Sequence, residues 1–196
     1  MRSFVLFFFI FAISSTVLAA EVRLNQVTPR YIMGSGETQA ELLVEFLLHE
    51  NSDADREFVE RLIHHYITEA EIEGVNHDIA FAQMCLETGF LRFGGLVVPE
   101  QNNFAGMGAI GPGFPGIWFP SVEIGVRAHI QHLKAYACTE PMNQELVTPR
   151  YRFVRRGAVP SIHGLSGTWA ADPLYAEKIE NILLRLFLFS EGFYEE

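Results

Sequence analysis

Basic residues are scarce in this 196-residue chain: 14 Lys and Arg stand against 24 Asp and Glu, a formal net charge of −10. A surface that neutralises phosphate needs a basic excess, so the deficit argues against a nucleic-acid binder and against an anionic-membrane binder. Cysteine is scarcer still. Two thiols, Cys85 and Cys138, cannot build a disulfide scaffold, and no zinc-ligand spacing is present. Charged residues make up only 19% against 49% apolar, the opposite of a disordered tail. There is no internal repeat and no low-complexity tract. After the first twenty residues no run is long and apolar enough to span a bilayer. The length fits one domain with a real core, and hardly two.

The first residues carry the one long apolar run. Arg2 is the only charge before Glu21, Phe4 to Ile13 is continuously apolar, and Val17-Leu18-Ala19 offers small residues for a signal-peptidase cut. Residues 1–19 therefore read as a secretory signal peptide, cleaved after Ala19 or Ala20, and too short for a membrane anchor. No cysteine lies near the cut to take a lipid. The expectation is a secreted or periplasmic protein without stable membrane insertion. Outside the cytoplasm a Cys85–Cys138 disulfide is permissible, but the apolar stretch around Cys85 makes a buried free thiol the simpler reading.

The mature chain divides into a short extension, residues 20–34, one domain over 35–190, and a tail over 191–196. Ala40, Leu43, Val44 and Leu47 recur at helical spacing, which predicts a helix from Ser35 to Glu50. Ser52 to Asp55 offers capping chemistry for a second helix from Asp55 to about Glu73. Its Glu69, Glu71 and Glu73 read as a solvated face. Gly74 ends that helix and Asn76 caps a third, Ile79 to Leu91, apolar nearly all round and so a core helix. Residues 94–116 hold seven of the 16 glycines, which predicts an irregular loop or hairpin lobe. Ser121 caps a fourth helix to about Ala137, residues 147–168 are irregular, and Asp172-Pro173 starts the last helix. The fold class is all-α, or α+β at most.

Glu87 is the only carboxylate between Ile79 and Leu91. Burial raises a carboxyl pKa, and a carboxylic acid held neutral is what general-acid catalysis requires. An ion pair with Arg92, or exposure on the last turn, is the plain alternative. In the next segment Gln101, Asn102 and Asn103 place amides that can bind sugar hydroxyls. Phe104, Phe114, Trp118 and Phe119 offer apolar platforms for sugar faces, or pack the lobe. Two GxGxxG matches, Gly106 to Gly111 and Gly111 to Gly116, follow no strand and open no helix, so a dinucleotide site is not expected. His64-His65, and His129 with His132, lack a third ligand and read as solvated or capping side chains rather than a metal site. Arg150, Arg152, Arg155 and Arg156 form a local basic cluster that either binds an anionic polymer or pairs with the protein's own acids.

Several of these segments, in order, carry a resemblance: Tyr66-Ile67-Thr68-Glu69-Ala70, Asn76-His77-Asp78-Ile79-Ala80, Leu86-Glu87-Thr88-Gly89, Asn102-Asn103-Phe104-Ala105-Gly106, and Gly167 through Tyr175. Over residues 35 to 190 the chain resembles the glucosaminidase domain of glycoside hydrolase family 73, bacterial peptidoglycan hydrolases. The resemblance implies a lysozyme-like helical body with a small lobe flanking a groove. It implies hydrolysis of the β-1,4 bond after N-acetylglucosamine in peptidoglycan glycan strands, with no cofactor and no metal. The family's Glu-Ser/Thr-Gly acid maps onto Glu87. Asn103 and Phe104 match its groove segment. Trp118 and Trp169 are then candidate stacking residues, with Tyr175 in the wall. The family's late motif usually reads Tyr-Ala-Thr-Asp-Pro, and Trp169 stands at that Tyr. The second catalytic group is open among Glu100, Glu123 and the substrate's own acetamido oxygen. A catalytically weak peptidoglycan-binding module and a lytic transglycosylase remain the alternatives to a hydrolase. A monomer without nucleic-acid partners is expected.

Overall fold

The computed structural model of the chain describes residues 31–193. The expected signal peptide, most of the residue 20–34 extension and the last three residues of the tail lie outside the described residues. Five α-helices carry the body: α1 (Ala40–Glu50), α2 (Arg56–Glu73), α3 (His77–Thr88), α4 (Val122–Ala137) and α5 (Tyr175–Ser190). A two-stranded antiparallel hairpin, β1 (Ala109–Gly111) and β2 (Phe114–Pro115), stands in the segment between α3 and α4. The chain is thus mostly helical with one small sheet, as the sequence leads one to expect.

The helix ends follow local chemistry. Asp55 caps α2 by accepting from Phe58 N at 2.7 Å. The Asn76 side chain accepts from Asp78 N and Ile79 N at the start of α3, and Ser121 Oγ accepts from Ile124 N at the start of α4. Helix α1 begins five residues later than its apolar spacing predicts. Residues 35–39 instead cross the first turn of α3 outside any helix, where Asp78 takes the Glu37 N–H at 2.8 Å and Asn76 donates to Ser35 O. Helix α3 stops at Thr88, three residues early, because Gly89 turns left-handed (φ 58°) and Phe90 and Leu91 continue that turn at φ 56° and 64°. Left-handed φ is unfavourable for bulky residues. Here Thr88 Oγ1 accepting from Leu91 N, and Asn51 Nδ2 donating to Phe90 O, hold it.

Helix α3 runs through the core, with Ile79, Phe81, Met84 and Cys85 fully buried. It packs on α5 and α2, while α2 also packs on α1 and α4. Residues 31–34 belong to the body: Ile32 is buried, donates to Pro160 O and accepts from Asn76 N. Cys85 and Cys138 are both free thiols.

The acidic stripe of α2 corrects an expectation. Glu71 is exposed, but Glu69 and Glu73 are buried. Arg127 of α4 grips Glu69 through Nε and Nη2, both at 2.9 Å, and Lys134 Nζ reaches Glu73 at 2.8 Å. A buried carboxylate needs such partners to stay charged. Glu73 accepts Asn143 N and Gln144 N as well, so two acids of α2 clamp the start of the linker that follows α4.

Candidate active site

Glu87 is the penultimate residue of α3 and is half-buried. Its Oε1 accepts two hydrogen bonds, from Trp169 Nε1 at 3.1 Å and from the Tyr175 hydroxyl. Arg92 is no partner: its guanidinium donates to Gly89 O and Glu50 O instead. Oε2 has no donor among the described residues. It faces Gly106, where a β-carbon would stand 3.0 Å from it. A proton on this carboxyl therefore belongs on Oε2, because the lone pairs of Oε1 are already engaged.

Burial pushes the Glu87 pKa up, and the Tyr175 and Trp169 hydrogen bonds, which favour the charged form, offset only part of that. Its position in the last turn of a helix acts in the same sense as burial, since partial negative charge gathers there. The arrangement sets a carboxyl of raised pKa with one oxygen anchored by two donors and the other, which has no donor among the described residues, against Gly106. That is the geometry of a general acid.

The two donors are themselves held. Tyr175, at the first turn of α5, is buried, and burial together with the Glu87 charge pushes its phenol far up, so it stays a donor. Its oxygen accepts from Gln83 Nε2 at 2.8 Å. Gln83 Oε1 is 2.9 Å from His129 Nε2, and His129 Nδ1 is 2.9 Å from the Tyr66 hydroxyl. The donor directions follow from one another. Tyr175 donates to Glu87 and so must accept from the Gln83 amide nitrogen, which leaves Gln83 Oε1 to accept from a protonated Nε2 of His129. His129 Nδ1 then accepts from Tyr66. Burial lowers the His129 pKa to about 3, so the ring is neutral, as this tautomer requires. A single file of donors thus runs from Tyr66 through the core and ends on Glu87.

Trp169 is fixed by packing. Its ring lies 5.7 Å from His129, 5.1 Å from His132 and 5.4 Å from Tyr136. Both histidines are buried, against the expectation of solvated or capping side chains. Burial brings the His132 pKa to about 4.

The amides expected to meet sugar hydroxyls are spent inside the lobe. Asn103 is buried. Its Nδ2 donates to Met107 O and Ile117 O, and its Oδ1 accepts from Met107 N at 2.9 Å. Gln101 bridges Val98 N and Pro115 O, and Asn102 donates to Phe119 O. These bonds shape the lobe and bring Gly106 beside Glu87. Phe104 is fully buried, 6.5 Å from Phe58, and plugs the lobe into the main core rather than presenting a face to a ligand. Phe119 is buried too, whereas Trp118 is 62% exposed and Phe114 60%. Glu123 is bound to Arg127 at 2.6 Å, and Glu100 is exposed at the lobe's first turn.

The structure therefore gathers Glu87, Trp169 and Tyr175, leaves Trp118 open on the lobe, and turns Asn103 and Phe104 inward. Gln83 and His129 were not legible as site residues. The available signal was Gln83 itself, a polar side chain in the apolar run from Ile79 to Leu86, one turn before Glu87 and on its face.

The sequence matches the family model described as mannosyl-glycoprotein endo-beta-N-acetylglucosaminidase over residues 63–188, a span that includes Glu87, the lobe, Trp169 and Tyr175. It is similar to an uncharacterized protein of Borreliella burgdorferi, 42% identical over 175 residues that cover 89% of this chain and 85% of that one. No solved structure matches.

Proposed function

The chain belongs to the mannosyl-glycoprotein endo-beta-N-acetylglucosaminidase family of glycosidases, and from that premise we propose that it is a secreted peptidoglycan hydrolase. It cuts the β-1,4 bond that follows N-acetylglucosamine, with Glu87 as general acid. The observation that carries the reading is the asymmetric Glu87 carboxyl, anchored through Oε1 by Trp169 and Tyr175, with Oε2 facing Gly106 and without a donor among the described residues.

In the reaction, Oε2 gives its proton to the glycosidic oxygen as the bond to the sugar's C1 breaks. The departing sugar leaves as an alcohol, and Glu87 becomes the carboxylate that two donors stabilise. Water then adds at C1, and its proton returns to Glu87. The positive charge developing at C1 is met by the substrate's acetamido oxygen or by Glu100, since Glu123 is committed to Arg127. Trp118 stacks on a sugar face from the lobe. Asn103 acts through the lobe backbone that it holds. Trp169 serves the acid with its N–H.

The test is mass spectrometry of purified peptidoglycan after digestion with the protein, beside Glu87→Gln and Glu100→Gln. Fragments with a reducing N-acetylglucosamine end, absent with Glu87→Gln, are expected. Activity retained in Glu100→Gln assigns the acetamido route. Anhydro-muramyl ends would instead mean a lytic transglycosylase. Pull-down on the polymer without any soluble fragment would mean a binding module.

A further inference from the structure

The region between the acidic linker and α5 has its own charge. No Asp or Glu occurs from residue 146 to 171, and four of the chain's 14 basic residues stand at positions 150, 152, 155 and 156. The segment is fastened beside the candidate active site at both ends. On one side Thr148, buried, meets His132 Nδ1 at 3.4 Å. On the other, Gly157 N donates to Ala135 O and Val159 N to Tyr136 O. His132 and Tyr136 are two of the three rings that pack on Trp169, whose N–H holds Glu87. The arginine segment and the wall behind Glu87 therefore share the same stretch of α4.

Pairing with the protein's own acids does not account for the cluster. Arg156 is used internally: it donates to Glu140 O and lies over the Tyr151 ring at 5.1 Å. Arg150, Arg152 and Arg155 have no carboxylate partner among the described residues. Arg150 and Arg152 instead flank Phe153, with guanidinium carbons 5.7 Å and 5.0 Å from a ring that is 67% exposed. Guanidinium groups laid on an aromatic keep their N–H edges free, and those edges match carboxylates in pairs.

The whole molecule supplies the reason for such an edge. A chain of net charge −10 repels a polyanion, so contact with one needs a local patch of the other sign. Peptidoglycan is such a polymer, because its glycan carries short peptide stems with free carboxylates. Resting on the hydrolase reading above, we propose that Arg150, Arg152, Arg155 and the exposed Phe153 form a docking edge for the acidic peptide stems. The edge places a stem-bearing sugar so that the neighbouring bond meets Glu87, and it favours substituted over bare glycan.

The experiment measures binding without turnover, using Glu87→Gln as background. Co-sedimentation is compared for intact sacculi and for glycan stripped of its stems by an amidase, with and without Arg150→Gln, Arg152→Gln and Arg155→Gln together. The arginine changes are expected to weaken binding to intact sacculi by about tenfold, the scale of a few exposed ion pairs, and to leave stripped glycan unaffected. Added salt should reproduce the loss. Circular dichroism checks that the variant folds, and the single Arg152→Gln is the fallback if it does not. Equal binding of both proteins to intact sacculi overturns the proposal, as does an equal loss on stripped glycan. Loss of binding to anionic phospholipid vesicles in place of sacculi would assign the edge to a lipid surface and also overturn it. Cleavage of stripped glycan by the unsubstituted protein keeps the hydrolase reading standing in each of these cases. No cleavage and no binding of either polymer would end both.

Discussion

At the scale of single residues, Glu87, the proposed acid, also costs the fold stability. Its pKa is raised in the fold, so below its unfolded value the carboxyl is neutral in both states and folding is unaffected by the charge. As pH rises through the folded value, the fold must hold a half-buried anion and loses stability. Glu87→Gln is therefore expected to abolish cleavage and to raise the melting temperature at neutral pH, with the difference vanishing in acid. Thermal melts at two pH values check this. Gly106 is the second lever. A β-carbon there would stand 3.0 Å from Oε2, and the position is left-handed at φ 61°. Gly106→Ala should cost about 1 kcal/mol of stability from backbone strain. It should lower kcat by at least about tenfold by crowding the proton-bearing oxygen, which steady-state kinetics would show. The third lever lies three hydrogen bonds beyond Tyr175. Tyr66→Phe keeps the ring but removes the hydroxyl that fixes the His129 tautomer. With the file of donors broken, Tyr175 becomes a weaker donor and the charged form of Glu87 loses support. The basic limb of the kcat/KM profile should then move to higher pH. An unmoved limb with only a lower melting temperature would reduce Tyr66 to packing.

At the scale of elements, α2 and α4 are joined by charge as well as by apolar contact. Lys134 and Glu73 are both buried, at 2.8 Å. Burial pushes the Glu73 carboxyl up, but the Asn143 N–H, Lys134 and Gln131 outweigh it and hold the pKa below the ordinary value. Lys134→Met should cost about 3 kcal/mol at neutral pH, because it strands a buried carboxylate, and the cost should shrink in acid as Glu73 takes a proton. Urea unfolding at neutral and acidic pH measures both. This pair also shows where legibility in the sequence ends. The helices were readable because their apolar spacing and caps are local, as Asp55, Gly74, Asn76 and Ser121 illustrate. Glu69 and Glu73 read as solvated because their partners lie 58 and 61 positions away. Glu87 was legible as a charge in the wrong place, whereas the inward turn of Asn103 and Phe104 was not. Amides that bind sugars and amides that bind a lobe's own carbonyls look alike until the loop is folded.

At the scale of the whole molecule, the two buried rings of α4 set an acid limit. His129 and His132 have pKa values of about 3 and about 4, against 6.5 for a free ring. The unfolded chain therefore binds protons that the folded one refuses. Their contribution is complete above about pH 6.5 and is lost as pH falls towards the folded values, at roughly 1 kcal/mol per pH unit for each ring. Chemical denaturation from pH 7 to pH 4 should show a steep fall in stability, eased in His132→Gln.

Between Ala137 and Tyr175 the chain has no α-helix and only short turns, yet its first stretch is bound down by carboxylates. Glu73 receives the Asn143 and Gln144 N–H groups, Glu69 receives the Gln144 side chain, and Gln131 joins Glu145 O to Val147 N. A protease needs a segment that can peel away and lie extended in its cleft. Here peeling would tear charged hydrogen bonds out of the interior, so an apparently loose connector is expected to resist digestion without a covalent cross-link, and its hold should weaken as Glu73 takes a proton.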